Sequence, residues 1–123
     1  MTVRKSRHKT EEPSELQKVL WLHGQFRRKL APIGITPLQA GVLLHLHRHM
    51  ESNMTNTAGA LCLRLPTLSG VINDLVRKRW VTRRRSTTDT RMTQLRLSPR
   101  GSTLVVKIVH GVGQVARMQT QQD

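Results

Sequence analysis

The chain has 123 residues and a formal net charge of +14, from 21 Lys and Arg against 7 Asp and Glu. That length suits one domain with a modest core, and no apolar run approaches the ~20 residues a membrane-spanning helix needs. The positive surplus points to a polyanionic partner, while a single cysteine, Cys62, excludes an intramolecular disulfide and fits a reducing compartment such as the cytoplasm.

The aromatic residues are Trp21, Phe26 and Trp80, with no Tyr. Modules that hold single-stranded nucleic acid stack bases on several aromatic rings, so duplex DNA fits this composition better. The few carboxylates are scattered, and neither a Ser, His and Asp arrangement nor a phosphate-cradling Gly-rich loop is visible. An enzyme is not expected, and neither is a cofactor.

In chain order, residues 1–13 read as a flexible basic arm carrying Arg4, Lys5, Arg7 and Lys9, with no secretory signal pattern. An ordinary solvated terminus is the other reading. A single domain follows over 14–123. Its first helix is expected over 14–31, opened by the capping box Ser14-Glu15-Leu16-Gln17 and carrying Leu16, Val19 and Leu20 at helical spacing. Thr36-Pro37-Leu38-Gln39 opens a second helix in the same way, with Leu38, Val42, Leu43 and Leu46 inward and His45, His47, Arg48 and His49 near its end. Glu51 to Asn56 reads as a polar connection, and Thr57 to Leu63 as a short third helix. A fourth helix starts with Pro66 at its first position. Leu68, Val71, Ile72, Leu75 and Val76 occupy one face and Thr67, Gly70, Asn73, Asp74 and Arg77 the other, so the third and fourth helices form a helix-turn-helix pattern.

After Lys78 the period changes to two. Trp80 to Arg83 and Met92 to Leu97 read as strands of a hairpin with a long basic tip, and Ser98-Pro99 caps a final helix over 98–121. From Arg64 to Arg100 there are ten Lys and Arg residues against Asp74 and Asp89 alone. A helix in the major groove, flanked by a basic hairpin, would meet the phosphates on two sides and release counterions. A charged face that only keeps the protein soluble is the bland alternative.

This order of elements has a counterpart. The run Asp89-Thr90-Arg91-Met92-Thr93-Gln94-Leu95-Arg96-Leu97-Ser98-Pro99-Arg100-Gly101 resembles the wing and following helix start of the MarR family of winged helix-turn-helix regulators. Pro66 to Leu75 resembles that family's recognition helix, and Thr36-Pro37-Leu38-Gln39 the start of its second helix. The resemblance implies a mainly α fold with a small β-wing (α+β), the DNA-binding core over 36–100, and a homodimer formed through the N- and C-terminal helices. It implies a sequence-specific, double-stranded DNA-binding transcriptional regulator, with the recognition helix in the major groove and the wing in the minor groove. It leaves room for a small-molecule effector. By the resemblance, Arg91 enters the minor groove or meets phosphate, and Asp89 pairs with an Arg to shape the wing. The chain departs from the family pattern with Gly70 where many relatives carry Arg, Arg79 where a glycine is usual, and Thr57 where a core Leu is usual. It reads as a short member lacking the usual last helix.

The residues expected at DNA are therefore Arg64, Pro66, Thr67, Ser69, Gly70, Asn73 and Arg77 from the helix, and Arg83, Arg84, Arg85, Thr87, Thr88, Asp89 and Arg91 from the wing. The dimer seam is expected at Leu16, Val19 and Leu20 with Val105, Ile108, Val109 and Val112. The three clustered histidines lack a Cys or carboxylate at ligand spacing, so a solvated helix end is favoured over metal binding. Cys62 is expected to be buried and inert. Two other functions stay open: a nonspecific nucleic-acid-binding architectural protein, and an interaction module for an acidic protein.

Overall fold

A computed structural model describes residues 14–88 and 92–122, with side chains to Met118. Helix α1 (Glu15–Leu30) begins at the expected capping box, in which the Ser14 hydroxyl accepts from Gln17 N and the Gln17 side chain accepts from Ser14 N. A 3₁₀ turn (Ala31–Ile33) leads to α2 (Pro37–His49), whose cap at Thr36 repeats the same reciprocal pair with Gln39. Strand β1 (Glu51–Asn53), α3 (Met54–Ala60), α4 (Leu65–Arg77), β2 (Val81–Arg85), β3 (Thr93–Leu97) and α5 (Pro99–Gln122) complete the order. The strands form one antiparallel sheet in the order β1-β3-β2.

Several expectations change here. The segment Glu51 to Asn56 is not a plain connection, because Glu51–Asn53 pairs with Arg96, Leu95 and Gln94 of β3. Three polar residues give no hydrophobic alternation, so only the partner strand reveals them as a strand. The third helix accordingly starts earlier, at Met54 rather than Thr57, because the Asn53 side chain caps it by accepting from Asn56 N at 2.7 Å. Its end at Ala60 follows from Cys62, which takes a left-handed φ of 55° while Leu63 N reaches back to Ala58 O. That position leaves Cys62 exposed, not buried as expected. The fourth helix gains one residue, with Pro66 in its second position.

The core lies where α2, α4, β3 and α5 meet, filled by Val42, Leu43, Leu46, Leu68, Ile72, Leu75, Leu95 and Ile108. Thr57 is also fully buried there. Its hydroxyl donates to Asn53 O at 2.8 Å and lies 3.0 Å from Ser52 Oγ, which in turn lies 3.3 Å from His45 Nε2. A polar group can be buried at that site because its hydrogen bonds are satisfied; among the described residues no buried side-chain polar atom lacks a partner.

The junction between wing and last helix is tightly built. Ser98 caps α5 by accepting from Gly101 N at 3.0 Å, donates its hydroxyl to Arg79 O at 2.6 Å, and sends its own N–H to Trp80 O at 3.0 Å. Gly101 packs on the Trp80 carbonyl so closely that a Cβ would overlap it. The glycine of the Ser-Pro-x-Gly run thus has a packing reason. Arg79, one residue beyond the α4 cap, has φ 65° and completes a Schellman closure: Arg79 N to Val76 O and Trp80 N to Leu75 O.

Candidate DNA interface

Helix α4 divides into two faces. Leu68, Ile72 and Leu75 are fully buried, which fixes the rotation of the helix. The opposite stripe is left open: Pro66, Thr67, Gly70, Asn73 and Arg77 are exposed and Ser69 is half-buried. Arg64, just before the helix, is exposed as well. Gly70 lies in the middle of this stripe with nothing near the place a Cβ would take. Arg77 leans back on Asp74 at 3.2 Å, one turn earlier; both groups are solvated, so the pair adds little stability.

The wing strands stand beside this stripe. Arg83, Arg84 and Arg85 follow one another on β2 and all are exposed, while Val81 on the same strand is buried. Arg83 lies opposite Leu95, itself fully buried. Strand partners share a face, so the Arg83 side chain projects on the core side of the sheet, over the edge of α4. There its Nη1 donates to Asn73 Oδ1 at 2.6 Å. The exposed helix face and the basic ribbon therefore form one continuous surface, joined by a charge-assisted hydrogen bond. Further out, Ser86 is buried and holds the wing together: its N–H donates to Met92 O at 2.9 Å and its hydroxyl accepts from Thr88 N at 3.2 Å. Thr87 and Thr88 are exposed. Asp89 and Arg91 fall outside the described residues.

Strand β1 braces the wing on its other edge, where Glu51 and Arg96, register partners, form an ion pair at 3.1 Å. Between β1, the end of α2, α3 and the base of the wing lies a polar cleft of about 670 Å³, lined among others by His45, His49, Asn53, Asn56, Met92 and Gln94. The rings of His45 and His49 are 4.4 Å apart. Burial, and then the neighbouring His49 and Arg48, hold the His45 imidazole below its ordinary value. Among the described residues no group of three His, Cys, Asp or Glu side chains is placed to hold a metal ion.

Of the residues expected at a dimer seam, Leu16, Val19, Leu20 and Val109 are exposed large apolar side chains. Val105 and Ile108 are buried within the chain's own core, and Val112 is half-buried against it. The open apolar face of α5 contains Val106, 70% exposed, beside Val109. Val106 stands outside the expected seam set because a valine-rich helix offers several stripes, and only the packing of α5 on α1, α2 and β3 selects the one turned inward. Sequence reasoning missed the Arg83–Asn73 link, which joins residues ten apart on different elements and leaves no trace in periodicity.

A helix-turn-helix with an exposed second helix and a basic two-stranded ribbon closing on it is a winged-helix, DNA-binding architecture. The family profile for the SarA/Rot transcriptional regulators matches residues 26–108. The chain belongs to that family of transcriptional regulators, and it shares its fold with MarR-type structures. Among solved structures, a mutant of MarR from E. coli complexed with operator DNA is similar, with a TM-score of 0.79 and 23% identity over 84% of this chain and 74% of that one. The repressor CouR bound to a 23-mer DNA duplex gives 0.77 and 25% over 84% and 72%. NadR in complex with 4-hydroxyphenylacetate gives 0.79 and 23% over 91% and 82%. No curated protein sequence matches the chain. No helix among the described residues is long and apolar enough to cross a membrane.

Proposed function

We propose that two copies of this chain dock their α4 helices in successive major grooves of B-form DNA. The wing then reaches the flanking minor groove, and occupancy of that site regulates transcription. The observation that carries this reading is the single surface made by the open α4 stripe and β2, tied at Arg83 and Asn73. Thr67, Ser69 and Asn73 read base edges, while Arg64, Arg77, Arg84, Arg85, Thr87 and Thr88 meet phosphates. Arg91 enters the minor groove, whose narrow A·T-rich stretches attract an inserted Arg. The exposed Leu16, Val19, Leu20, Val106 and Val109 form the apolar seam between copies, a reading supported by their exposure of 52% to 70% on α1 and α5. The polar cleft beside His45 is large enough for a small effector, as NadR takes 4-hydroxyphenylacetate. The protein acts in the cytoplasm, without catalysis of its own.

Selection from a random duplex library at physiological salt, with the oligomeric state measured alongside, tests this directly. An enriched pseudo-palindrome from a dimer is the expected result. Equal affinity for selected and random duplexes refutes it and favours nonspecific coating. That second reading draws on Gly70, which leaves a gap in the middle of the reading face. Its signature is a steep salt dependence with a specificity ratio near one.

A further inference from the structure

We infer that Asn73 and Arg83 act as one specificity unit, which presents only hydrogen-bond donors to the major groove and so selects a guanine at one position of each half-site. The inference rests on the DNA-binding reading above and deepens it.

An asparagine at the centre of a recognition helix ordinarily has two uses. Its amide can pair with adenine in both directions, accepting from N6 and donating to N7. Here that choice is restricted. A guanidinium carries five N–H donors and no acceptor, so the group facing Arg83 across 2.6 Å must be the Asn73 carbonyl oxygen. The amide orientation follows from chemistry. The Asn73 NH₂ group is thereby the end left for the groove. The second lone pair of Oδ1 remains, but a full positive charge stands beside it. That charge opposes the partly positive amino hydrogens of adenine N6 and cytosine N4.

Guanine presents two acceptors in the major groove, N7 and O6, and is the base edge such a row of donors fits. The remaining N–H groups of Arg83 extend the row. Arg83 is placed for this by the strand and not by chance of a long side chain: its backbone is paired to Leu95, which is fully buried, so the base of the side chain is fixed. Asn73 is equally fixed, because Ile72 beside it is wholly in the core. A wing arginine thus sets the preference of a helix asparagine, and the two positions specify one base together.

The test is selection from a random duplex library with the full chain and its Arg83→Ala, Arg83→Lys and Asn73→Ala variants, each checked for folding by circular dichroism. Both residues are exposed, so the fold should persist. Wild type is expected to enrich guanine at one half-site position, with about tenfold discrimination over adenine there. Arg83→Ala should release the Asn73 carbonyl and shift that position toward adenine with the rest of the motif intact. Asn73→Ala should remove the guanine preference at the same position, and Arg83→Lys, which keeps a cation and a donor, should retain part of it. If Arg83→Ala keeps the wild-type motif at every position and only weakens binding with a shallower salt slope, Arg83 is a phosphate contact and the inference is overturned. A wild-type pool with no enriched motif overturns the regulator reading itself, and this one with it.

Discussion

Replacing Gly101 with alanine should damage the fold far more than a Gly-to-Ala change in a helix normally does. The added Cβ would overlap the Trp80 carbonyl oxygen, sit 3.0 Å from its carbon and 3.2 Å from Leu97 Cδ2. The oxygen is backbone, so it cannot swing aside as a long side chain would. It is also the acceptor for Ser98 N, and Ser98 in turn caps Gly101 N. Separating the segments weakens two hydrogen bonds, at ~1 kcal/mol each. The forced displacement adds an overpacking cost of ~2 kcal/mol. Against this, alanine gains at most ~1 kcal/mol of helix propensity. The net loss is ~3 kcal/mol, equivalent to a fall of about 10 °C in Tm for a domain of this size. Gly70→Ala supplies the contrast: the same change in mid-α4 meets nothing within 4 Å and should stabilise the free protein by ~0.8 kcal/mol. Urea and thermal unfolding of both variants, without DNA, decide the matter. A Gly101→Ala protein as stable as wild type would refute the packing argument.

Arg79→Gly should stabilise by up to ~1 kcal/mol, since Arg79 holds a left-handed φ of 65° that glycine adopts without strain; the urea midpoint checks it. His45 gives a pH dependence with a defined sign. Its folded value is depressed, so the unfolded chain binds more protons below about pH 6.5 and stability falls as pH drops through that range toward the folded value. Urea midpoints from pH 8 to 5 should show this fall, reduced in His45→Gln. Leu20→Asp, at a side chain 62% exposed in the single chain, should shift sedimentation toward monomer without lowering helix content. An unchanged dimer would move the seam elsewhere. The effect of Arg84→Ala on DNA should be uniform: losing one phosphate contact weakens binding to all duplexes alike and lowers the salt slope by about one. Affinity measured against salt for a selected and a random duplex tests this, and a loss confined to the selected duplex would argue against a phosphate role.

Much of the architecture was written locally. The capping boxes at Ser14 and Thr36 start α1 and α2 where the hydroxyl and amide side chains say they should, because a cap is an interaction between residues three apart. The two faces of α4 and the alternation of β3 follow from periodicities of 3.6 and 2, each a property of one segment. The clustering of arginine from α4 into the wing needed only the order of residues. Features that join distant segments were hidden, and so were two local ones with weak signals of their own. Strand β1 is three polar residues that become a strand only beside β3. Asn53 was an unread cap, because Thr, Asn and Gly give α3 no helical signature of their own. Cys62 lies next to Leu61 and Leu63 in sequence, yet a left-handed turn carries it out to solvent.

By itself, then, the sequence determined the kinds of elements, their order, the charge that demands a polyanion, and which side of α4 is apolar. Tertiary structure alone decided that the wing leans onto the reading face, that Arg83 takes the Asn73 carbonyl, that Val105 and Ile108 turn inward, and that Gly101 has no room for a methyl group. The division has a physical cause. Hydrogen-bond caps and hydrophobic periods act over three to four neighbours along the chain, whereas a side chain's partner across space depends on how buried faces pack, which no local window contains.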